Sequence, residues 1–122
     1  MKTVVIGASP NPIRYSNKAM KILVENNGEV IPIGNKKGQV HNINIINNKP
    51  DLRDIHTVLL YLGPERQKEY YNYILKIKPK RIIFNPGTYN SEFAKLLKNN
   101  HIHVIHNCAL NMIYYGQYFE EN

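Results

Sequence analysis

The sequence predicts an α/β fold of three layers (αβα), with helices on both faces of a parallel sheet of about five strands. The first observation behind this prediction is the alternation of short apolar runs with stretches of helical periodicity along the 122 residues. The second is that three of the apolar runs end in Gly- or Pro-containing turns, at residues 7–14, 63–64 and 85–88. Because right-handed crossovers bring the carboxyl ends of parallel strands to one edge of the sheet, we expect these turns to converge into a cleft.

The first part of the chain is predicted to form a strand, a helix and a second strand. Residues 2–8 are a continuous apolar run, typical of a buried parallel strand, and the run ends at a glycine turn. Ser16 is the expected N-cap of a helix that continues to residue 27. That helix has an apolar face suited to packing on a sheet, made of Ala19, Met20, Leu23 and Val24. Residues 29–33 form the second strand, where Pro32 indicates the edge of regular pairing.

The middle of the chain is predicted to contain another core strand and a long helix. Residues 40–46 form a short strand or an irregular segment, and residues 52–55 form a short helical turn. Residues 57–62 are the next buried strand. Pro64 suits the first turn of the following helix, which continues to residue 77.

The last part of the chain repeats the alternation of strand and helix. Residues 80–84 form a fourth core strand, and Asn90 or Ser91 can cap the helix after it. Residues 102–105 form the last strand, and a short helix follows over residues 108–115. The complete pattern is that of a Rossmann-like fold.

The turn after the first strand has the layout of a phosphate-binding loop. Gly7 lets backbone approach a ligand, the next helix start offers free N–H groups to an anion, and Arg14 adds a fork of donors. An ordinary tight connection with a surface arginine fits the same spacing. The dinucleotide fingerprint is incomplete, because Ser9 and Pro12 stand where its second and third glycines belong. A Walker A loop is absent, because no Gly-Lys-Ser/Thr closes the turn.

Several short motifs, in order along nearly the whole chain, are similar to those of one known family. They are Gly7-Ala8-Ser9, Pro12, Arg14-Tyr15-Ser16, Val30-Ile31-Pro32-Ile33, residues 85–92 and Cys108. In these motifs the chain resembles the coenzyme A-binding domain family, small Rossmann-like proteins related to the N-terminal domain of the succinyl-CoA synthetase α subunit. The resemblance implies non-catalytic, nucleotide-type binding of coenzyme A (CoA) or an acyl-CoA in a cleft at the carboxyl ends of the parallel strands.

The resemblance and the converging turns together predict the residues of the binding site. The expected cofactor-binding residues are Gly7, Ala8, Ser9, Pro12, Arg14, Tyr15, Ser16, Ile33, Lys36, Lys37, Gly63, Pro64, Pro86, Gly87 and Asn90. By resemblance, the pyrophosphate would lie at residues 9–16 and the adenine end near residues 33–37, where Lys36 or Lys37 would contact phosphate. At this point the family has Val-Asn-Pro-Lys, whereas this chain has Ile33-Gly34-Asn35 before its two lysines. It therefore stays open whether Lys36 or Lys37 corresponds to the family's lysine. The alternative is that both lysines belong to a basic surface loop that binds no ligand.

The charge and composition of the chain limit the classes of partner. A net charge of +7 favours anionic ligands, but the lysines are scattered and no nucleic-acid-binding motif is present, so we expect a small CoA-type molecule. No apolar run has the length of a membrane span, no signal peptide pattern is present, and the single cysteine fits a reducing compartment, so the cytoplasm is expected. The length suits a single domain over residues 1–122. A protein partner or self-association is left open.

The sequence contains no set of residues that would catalyse a reaction. His101 and His103 would face one side of a strand and His106 the other, so a metal site is not expected. Cys108 is expected to be a small buried hydrophobe, with a thiol beside the ligand as the alternative. Enzyme activity is therefore not expected of this chain alone.

Two other functions are kept as alternatives. An NAD(H)-binding redox-sensing module shares the predicted fold, although the missing glycines disfavour it. The CoA-binding subunit of an acyl-CoA ligase would act with a partner chain, because the further domains of such enzymes do not fit into 122 residues.

Overall fold

A computed structural model describes residues 1–119 of the chain. Its strands are β1 (Lys2–Ile6), β2 (Glu29–Ile33), β3 (Gln39–Val40), β4 (Ile43–Asn44), β5 (Thr57–Leu60), β6 (Arg81–Phe84) and β7 (His103–His106). Its helices are α1 (Tyr15–Glu25), α2 (Pro64–Gln67), α3 (Tyr71–Ile77), α4 (Ser91–Asn99) and α5 (Ala109–Tyr114), with a 3₁₀ turn at Lys68–Tyr70 between α2 and α3. Within the described residues, no helix is both long and apolar enough to cross a bilayer.

Five strands form one sheet in the order β2-β1-β5-β6-β7, and every neighbouring pair is parallel. The predicted α/β fold with a five-stranded parallel sheet is therefore confirmed. Pro32 lies in β2, which is an edge strand as its proline indicated. The segment predicted at 40–46 contains the small antiparallel hairpin β3–β4, and Ile46 then bridges Ile33 along the outer side of β2.

The two faces of the sheet are covered by different helices. Alternate residues along each strand point to opposite faces, so Val4, Val58 and Ile82 share one face and Val5, Leu59 and Ile83 share the other. The first face packs against the 3₁₀ turn, α3 and α4, and the second packs against α1 and α5. The fold therefore has the three layers that the sequence predicts.

The first helix starts earlier than its sequence suggests. The Arg14 N–H donates to the Asn11 carbonyl (3.1 Å), which closes the turn and allows Tyr15 to be the first helical residue. Arg14 occupies the N-cap position and forms no side-chain cap hydrogen bond. Ser16 is buried inside the first turn, so the expectation that it caps the helix is wrong.

Two segments in the middle of the chain also differ from expectation. Residues 52–55 form no helical turn, because Asp54 adopts a left-handed conformation (φ +58°) while Ile55 is buried in the core. The stretch from Pro64 to Ile77 is helical as predicted, but it tightens into a 3₁₀ turn at Lys68–Tyr70.

The amino edge of the sheet is closed by a buried arginine. Arg81 is only 3% exposed; its Nε donates to Thr57 Oγ1 (2.8 Å) and its Nη2 to the Tyr118 carbonyl (2.6 Å). The guanidinium also lies 4.7 Å from the centre of the Tyr118 ring, whose hydroxyl hydrogen-bonds Thr3 Oγ1 (2.7 Å). The segment after α5 thus packs against this edge through Tyr118.

A buried asparagine joins three elements at the carboxyl edge of the sheet. Asn85, directly after β6, is 1% exposed, and its Nδ2 donates to the Leu60 carbonyl at the end of β5 (3.1 Å). Its Oδ1 accepts from the Ala109 N–H at the start of α5 (2.8 Å). The side chain therefore gives the Ala109 N–H its partner and adds a second hydrogen bond to the Leu60 carbonyl, which also accepts from the Asn85 N–H (3.4 Å).

We expect Asn85→Leu to destabilise the fold by about 1–3 kcal/mol, because the buried Ala109 N–H would lose its partner and the Leu60 carbonyl would lose one of its two hydrogen bonds. Urea denaturation measures this change. The matched control is Asn99→Leu, at an exposed position of α4, which we expect to change stability by about 0.5 kcal/mol or less. Equal stability of the two variants would contradict the role given to Asn85.

Candidate functional site

A cleft of about 560 Å³ opens at the carboxyl edge of the sheet. It is lined by residues that follow β1, β2, β5 and β6: Gly7, Ala8, Ser9, Arg14, Tyr15, Ser16, Gly34, Asn35, Lys36, Tyr61, Leu62, Arg66, Tyr70 and Pro86. In open α/β sheets this is the edge at which ligands bind. Of the three turns expected to converge, those at residues 7–14 and 85–88 contribute to the cleft, whereas Gly63 and Pro64 of the third do not line it.

The turn after β1 is held tightly against its neighbours. The N–H groups of Gly7 and Ala8 both donate to the Ile33 carbonyl at the end of β2 (3.0 Å each). Gly7 has a φ of +94°, and a Cβ there would lie 3.0 Å from the backbone of Tyr61. Glycine is therefore favoured here for two reasons: it adopts this positive φ readily, and it leaves room for the Tyr61 backbone directly after β5.

The backbone donors of this turn divide into used and unused groups. The Asn11 N–H donates to Ser9 Oγ (3.1 Å) and the Ile13 N–H to Asn11 Oδ1 (3.0 Å), so the middle of the turn is satisfied internally. No side chain caps the first turn of α1. Arg14 and Ser16, at the start of this helix, line the cleft. An uncapped helix start facing a cleft presents N–H donors and the positive end of the helix dipole to an anion.

Asn17, which sequence reasoning did not single out, fixes the turn to the helix. Its side chain is buried, and Nδ2 donates to the Ser9 carbonyl (2.9 Å). The loop and the first turn of α1 are thereby held together, so the donors around Ser9 and Ser16 keep a fixed arrangement.

Gly34 allows the loop after β2 to reach the cleft. A Cβ at this position would overlap the carbonyl oxygen of Ala8, so only glycine fits against the turn after β1. The Gly34 N–H donates to the Ile46 carbonyl (3.0 Å), which holds the loop from the other side. Asn35 and Lys36 consequently line the cleft.

The charge of the cleft is positive. Its lining contains three cationic side chains, Arg14, Lys36 and Arg66, and no Asp or Glu. Each follows a different strand, and the three strands β2, β1 and β5 are adjacent in the sheet. The ion pairs found among residues 1–119 are Lys2–Glu29 and Lys68–Glu65, so none of the three cations is neutralised by a carboxylate there. A row of unpaired cations favours a ligand with several negative charges.

The residues that follow β5 and β6 form one wall of the cleft, which is mainly apolar and aromatic. It is formed by Tyr61, Leu62, Tyr70 and Pro86. Burial raises the pKa of the Tyr61 hydroxyl above its ordinary value, and among the described residues this oxygen has no hydrogen-bond partner. Lys49 lies 4.8 Å from the centre of the Tyr70 ring, and burial raises the pKa of Tyr70 too. Both phenols are therefore neutral at physiological pH.

The cleft brings together about half of the residues predicted from the sequence. Lining it are Gly7, Ala8, Ser9, Arg14, Tyr15, Ser16, Lys36 and Pro86. Outside the lining are Pro12, Ile33, Lys37, Gly63, Pro64, Gly87 and Asn90. Ile33 is buried in the core and contributes its carbonyl to the turn after β1. Of the two candidate lysines, Lys36 lines the cleft and Lys37 does not, and a contact of either with phosphate stays a prediction.

Asn90 is occupied by structural hydrogen bonds. Its Oδ1 caps α4 by accepting from the Phe93 N–H (3.1 Å), which confirms the predicted cap. Its Nδ2 donates to Gln67 Oε1 (3.1 Å) and to the Tyr71 hydroxyl (2.7 Å). With these partners the side chain fastens α4 to α2 and α3.

Six residues of the cleft were missed by sequence reasoning: Gly34, Asn35, Tyr61, Leu62, Arg66 and Tyr70. Two sequence patterns point to some of them. Tyr61 and Leu62 directly follow a buried run, which places them where the strand leaves the sheet. Arg66 and Tyr70 are four residues apart after Pro64, a spacing that puts both on one face of a helical stretch.

The histidines and the cysteine near the end of the chain form no metal-binding cluster in the part of the chain that the structure describes. Within residues 1–119 no group of three or more His, Cys, Asp or Glu side chains could hold a metal ion. His106 is exposed and stacks on Tyr89 (ring centres 4.5 Å apart). Cys108 is half-buried at the start of α5 and does not line the cleft.

Comparison with known proteins gives a family and several similar folds. The model of a family described as a CoA binding domain matches residues 1–114. A solved structure described as an uncharacterized protein is 44% identical over 95% of this chain and 96% of its own, with a TM-score of 0.93. A hypothetical protein from Pyrococcus horikoshii OT3 is 28% identical over 93% of this chain and 81% of its own, with a TM-score of 0.83.

A more distant structure, from Thermus thermophilus, is similar in fold, with 21% identity, a TM-score of 0.82 and coverage of 97% of this chain and 90% of its own. The comparison with curated proteins gives no match.

We expect Gly34→Ala to lower the free energy of unfolding by about 1–3 kcal/mol, because the added methyl overlaps the Ala8 carbonyl and displaces one of the two loops. Chemical denaturation measures the loss. Gly63→Ser is the control: Gly63 is the N-cap of α2, a Cβ there meets nothing within 4 Å, and serine is a favourable N-cap. If Gly34→Ala were as stable as the control, the contact between the two loops would not be a packing constraint.

Proposed function

This chain belongs to the CoA-binding domain family, and on that premise we propose that it binds CoA or an acyl-CoA in the cleft at the carboxyl edge of its sheet. We further propose that it catalyses no reaction on its own. The single observation that carries the proposal is the row of three unpaired cations beside an uncapped helix start, in one cleft without a carboxylate. CoA has a diphosphate and a separate 3′-phosphate, so it matches such a row in both charge and extent.

The diphosphate is proposed to lie over the turn after β1. The N–H groups at the start of α1 and the Arg14 guanidinium converge there, and together they offer the donors that a phosphate group needs. Ser9 and Ser16 add hydroxyl groups to the same lining. Because Asn17 fixes this turn, the donors need little rearrangement when the ligand binds.

The adenine end with the 3′-phosphate is proposed to lie over the loop after β2. In enzymes that bind NAD, an acidic residue near this point holds the ribose hydroxyls. Here the lining after β2 consists of Gly34, Asn35 and Lys36, and a lysine suits a phosphate better than a ribose diol. The loop therefore favours CoA over NAD(H).

The pantetheine arm, with any acyl group, is proposed to follow the aromatic wall. Tyr61, Leu62, Tyr70 and Pro86 offer a mainly apolar surface beside the phosphate-binding turn. Ligand sites usually combine such a surface with a few charged anchors that fix orientation.

The proposed absence of catalysis rests on the chemistry of the lining. It contains no Cys, His, Asp or Glu that could serve as nucleophile or general base. The raised pKa keeps the Tyr61 hydroxyl protonated at neutral pH, so it cannot accept a proton there. The free thiol of Cys108 suits the reducing cytoplasm, which is the compartment we propose.

We expect Arg14→Ala to weaken CoA binding by about 1.5–3 kcal/mol, or roughly tenfold to a hundredfold in Kd, because a charge-assisted contact to phosphate is lost. Titration calorimetry measures the affinity, and thermal melting checks the fold, which should be unchanged because Arg14 is exposed.

Arg53→Ala is the matched control for this prediction, because it removes an exposed arginine that does not line the cleft. Unchanged affinity in Arg14→Ala, or an equal loss in both variants, would move the phosphates away from the turn after β1.

A further inference from the structure

Arg66 is a cation of the cleft that no motif of the chain had indicated. It lies in α2, directly after β5, and shares the cleft-facing side of this helical stretch with Tyr70, four residues later. β5 is the hydrogen-bonded neighbour of β1, with Ile6 paired to Leu60 at the last position of both strands. The segment that carries Arg66 is therefore next to the turn that carries Arg14.

The guanidinium of Arg66 has no competing partner among the described residues. Its neighbour Glu65 pairs with Lys68 (3.7 Å), so the nearest carboxylate along the chain is directed to another cation. Arg66 is exposed and forms no ion pair within residues 1–119. Its charge is therefore available to a ligand in the cleft.

The backbone under Arg66 is held rigidly by the residue that follows it. Gln67 is fully buried, and its Nε2 donates to the Leu62 carbonyl (2.8 Å) and to the Thr88 carbonyl (2.7 Å). Its Oε1 accepts from Asn90 Nδ2 (3.1 Å). These bonds fix α2 against the loops after β5 and β6, so the backbone that carries Arg66 needs little ordering when a ligand binds.

We propose that Arg66 is a ligand-binding residue that contacts the diphosphate from the side opposite Arg14. Two arginines, in the segments that follow the adjacent strands β1 and β5, would then bind one diphosphate. This inference rests on the proposed binding of CoA. Two guanidinium forks match the oxygen atoms of two linked phosphate groups, which a single arginine would hold less specifically. The site would thus select ligands with a diphosphate over those with a single phosphate.

The strand order assigns Arg66 to the diphosphate and not to the 3′-phosphate. Lys36 follows β2 and Arg66 follows β5, with β1 between them. Two strand spacings, about 10 Å, therefore separate the ends of the two strands from which these segments continue. Lys36 lies on the side proposed for the adenine end, so the two cations serve different phosphate groups of one ligand.

The test compares two ligands that differ only in the 3′-phosphate. We expect Arg66→Ala to weaken the binding of CoA and of dephospho-CoA by the same factor, roughly tenfold to a hundredfold, since both contain the diphosphate. Lys36→Ala should weaken CoA and leave dephospho-CoA unchanged. Arg66→Lys, which keeps the charge but loses the fork, should fall between the wild type and Arg66→Ala.

Arg53→Ala is again the control, and a thermal melt of each variant shows that it is folded. If the wild-type protein binds CoA and Arg66→Ala binds it equally well, Arg66 is not a ligand contact, and the proposed function stands without it. If Arg66→Ala loses affinity for CoA but not for dephospho-CoA, the assignment to the diphosphate is overturned. If the wild-type protein binds neither ligand, the proposed function itself has failed.

Discussion

The contact between the turn after β1 and the end of β2 is the constraint on which the rest of the site depends. Two consecutive N–H groups, of Gly7 and Ala8, converge on the Ile33 carbonyl, and Gly34 lies so close to the Ala8 carbonyl that no side chain fits between them. These contacts use the first donors of the turn, whereas the start of α1 has no side-chain cap and is the surface proposed to bind an anion. Gly34 is thus required by the packing of one loop on the other, and Gly7 by its positive φ and its approach to Tyr61.

Uncharged amide side chains hold the remaining loops of the carboxyl edge. Asn85 joins β5 to α5, Gln67 joins α2 to the loop after β6, and Asn17 joins the first turn to α1. Because amides fasten the loops, no carboxylate is needed for that purpose, and the cations Arg14 and Arg66 stay unpaired among the described residues. The rigidity of the edge and its positive charge are therefore compatible, which is what a preformed site for a polyanion requires.

Much of the fold could be predicted from the sequence, because buried parallel strands and amphipathic helices have distinct periodicities. The site was harder to predict, because its residues are set by contacts between loops. Lys36 and Lys37 are adjacent in sequence, and only the three-dimensional course of the loop after β2 shows that Lys36 lines the cleft and Lys37 does not. Arg66 lies just after the Gly63-Pro64 turn, yet Arg66 lines the cleft and neither residue of the turn does. Asn90 looks like a ligand-binding residue until its hydrogen bonds to Gln67 and Tyr71 are seen.

The central claim, that this positive cleft binds a CoA-type ligand, is tested most directly by titration calorimetry of the wild-type protein with CoA and with NADH. The account predicts micromolar binding of CoA and weaker binding of NADH, because NADH lacks the third phosphate and finds no acidic residue for its ribose in the lining. Tighter binding of NADH than of CoA, or no binding of either ligand, would contradict it.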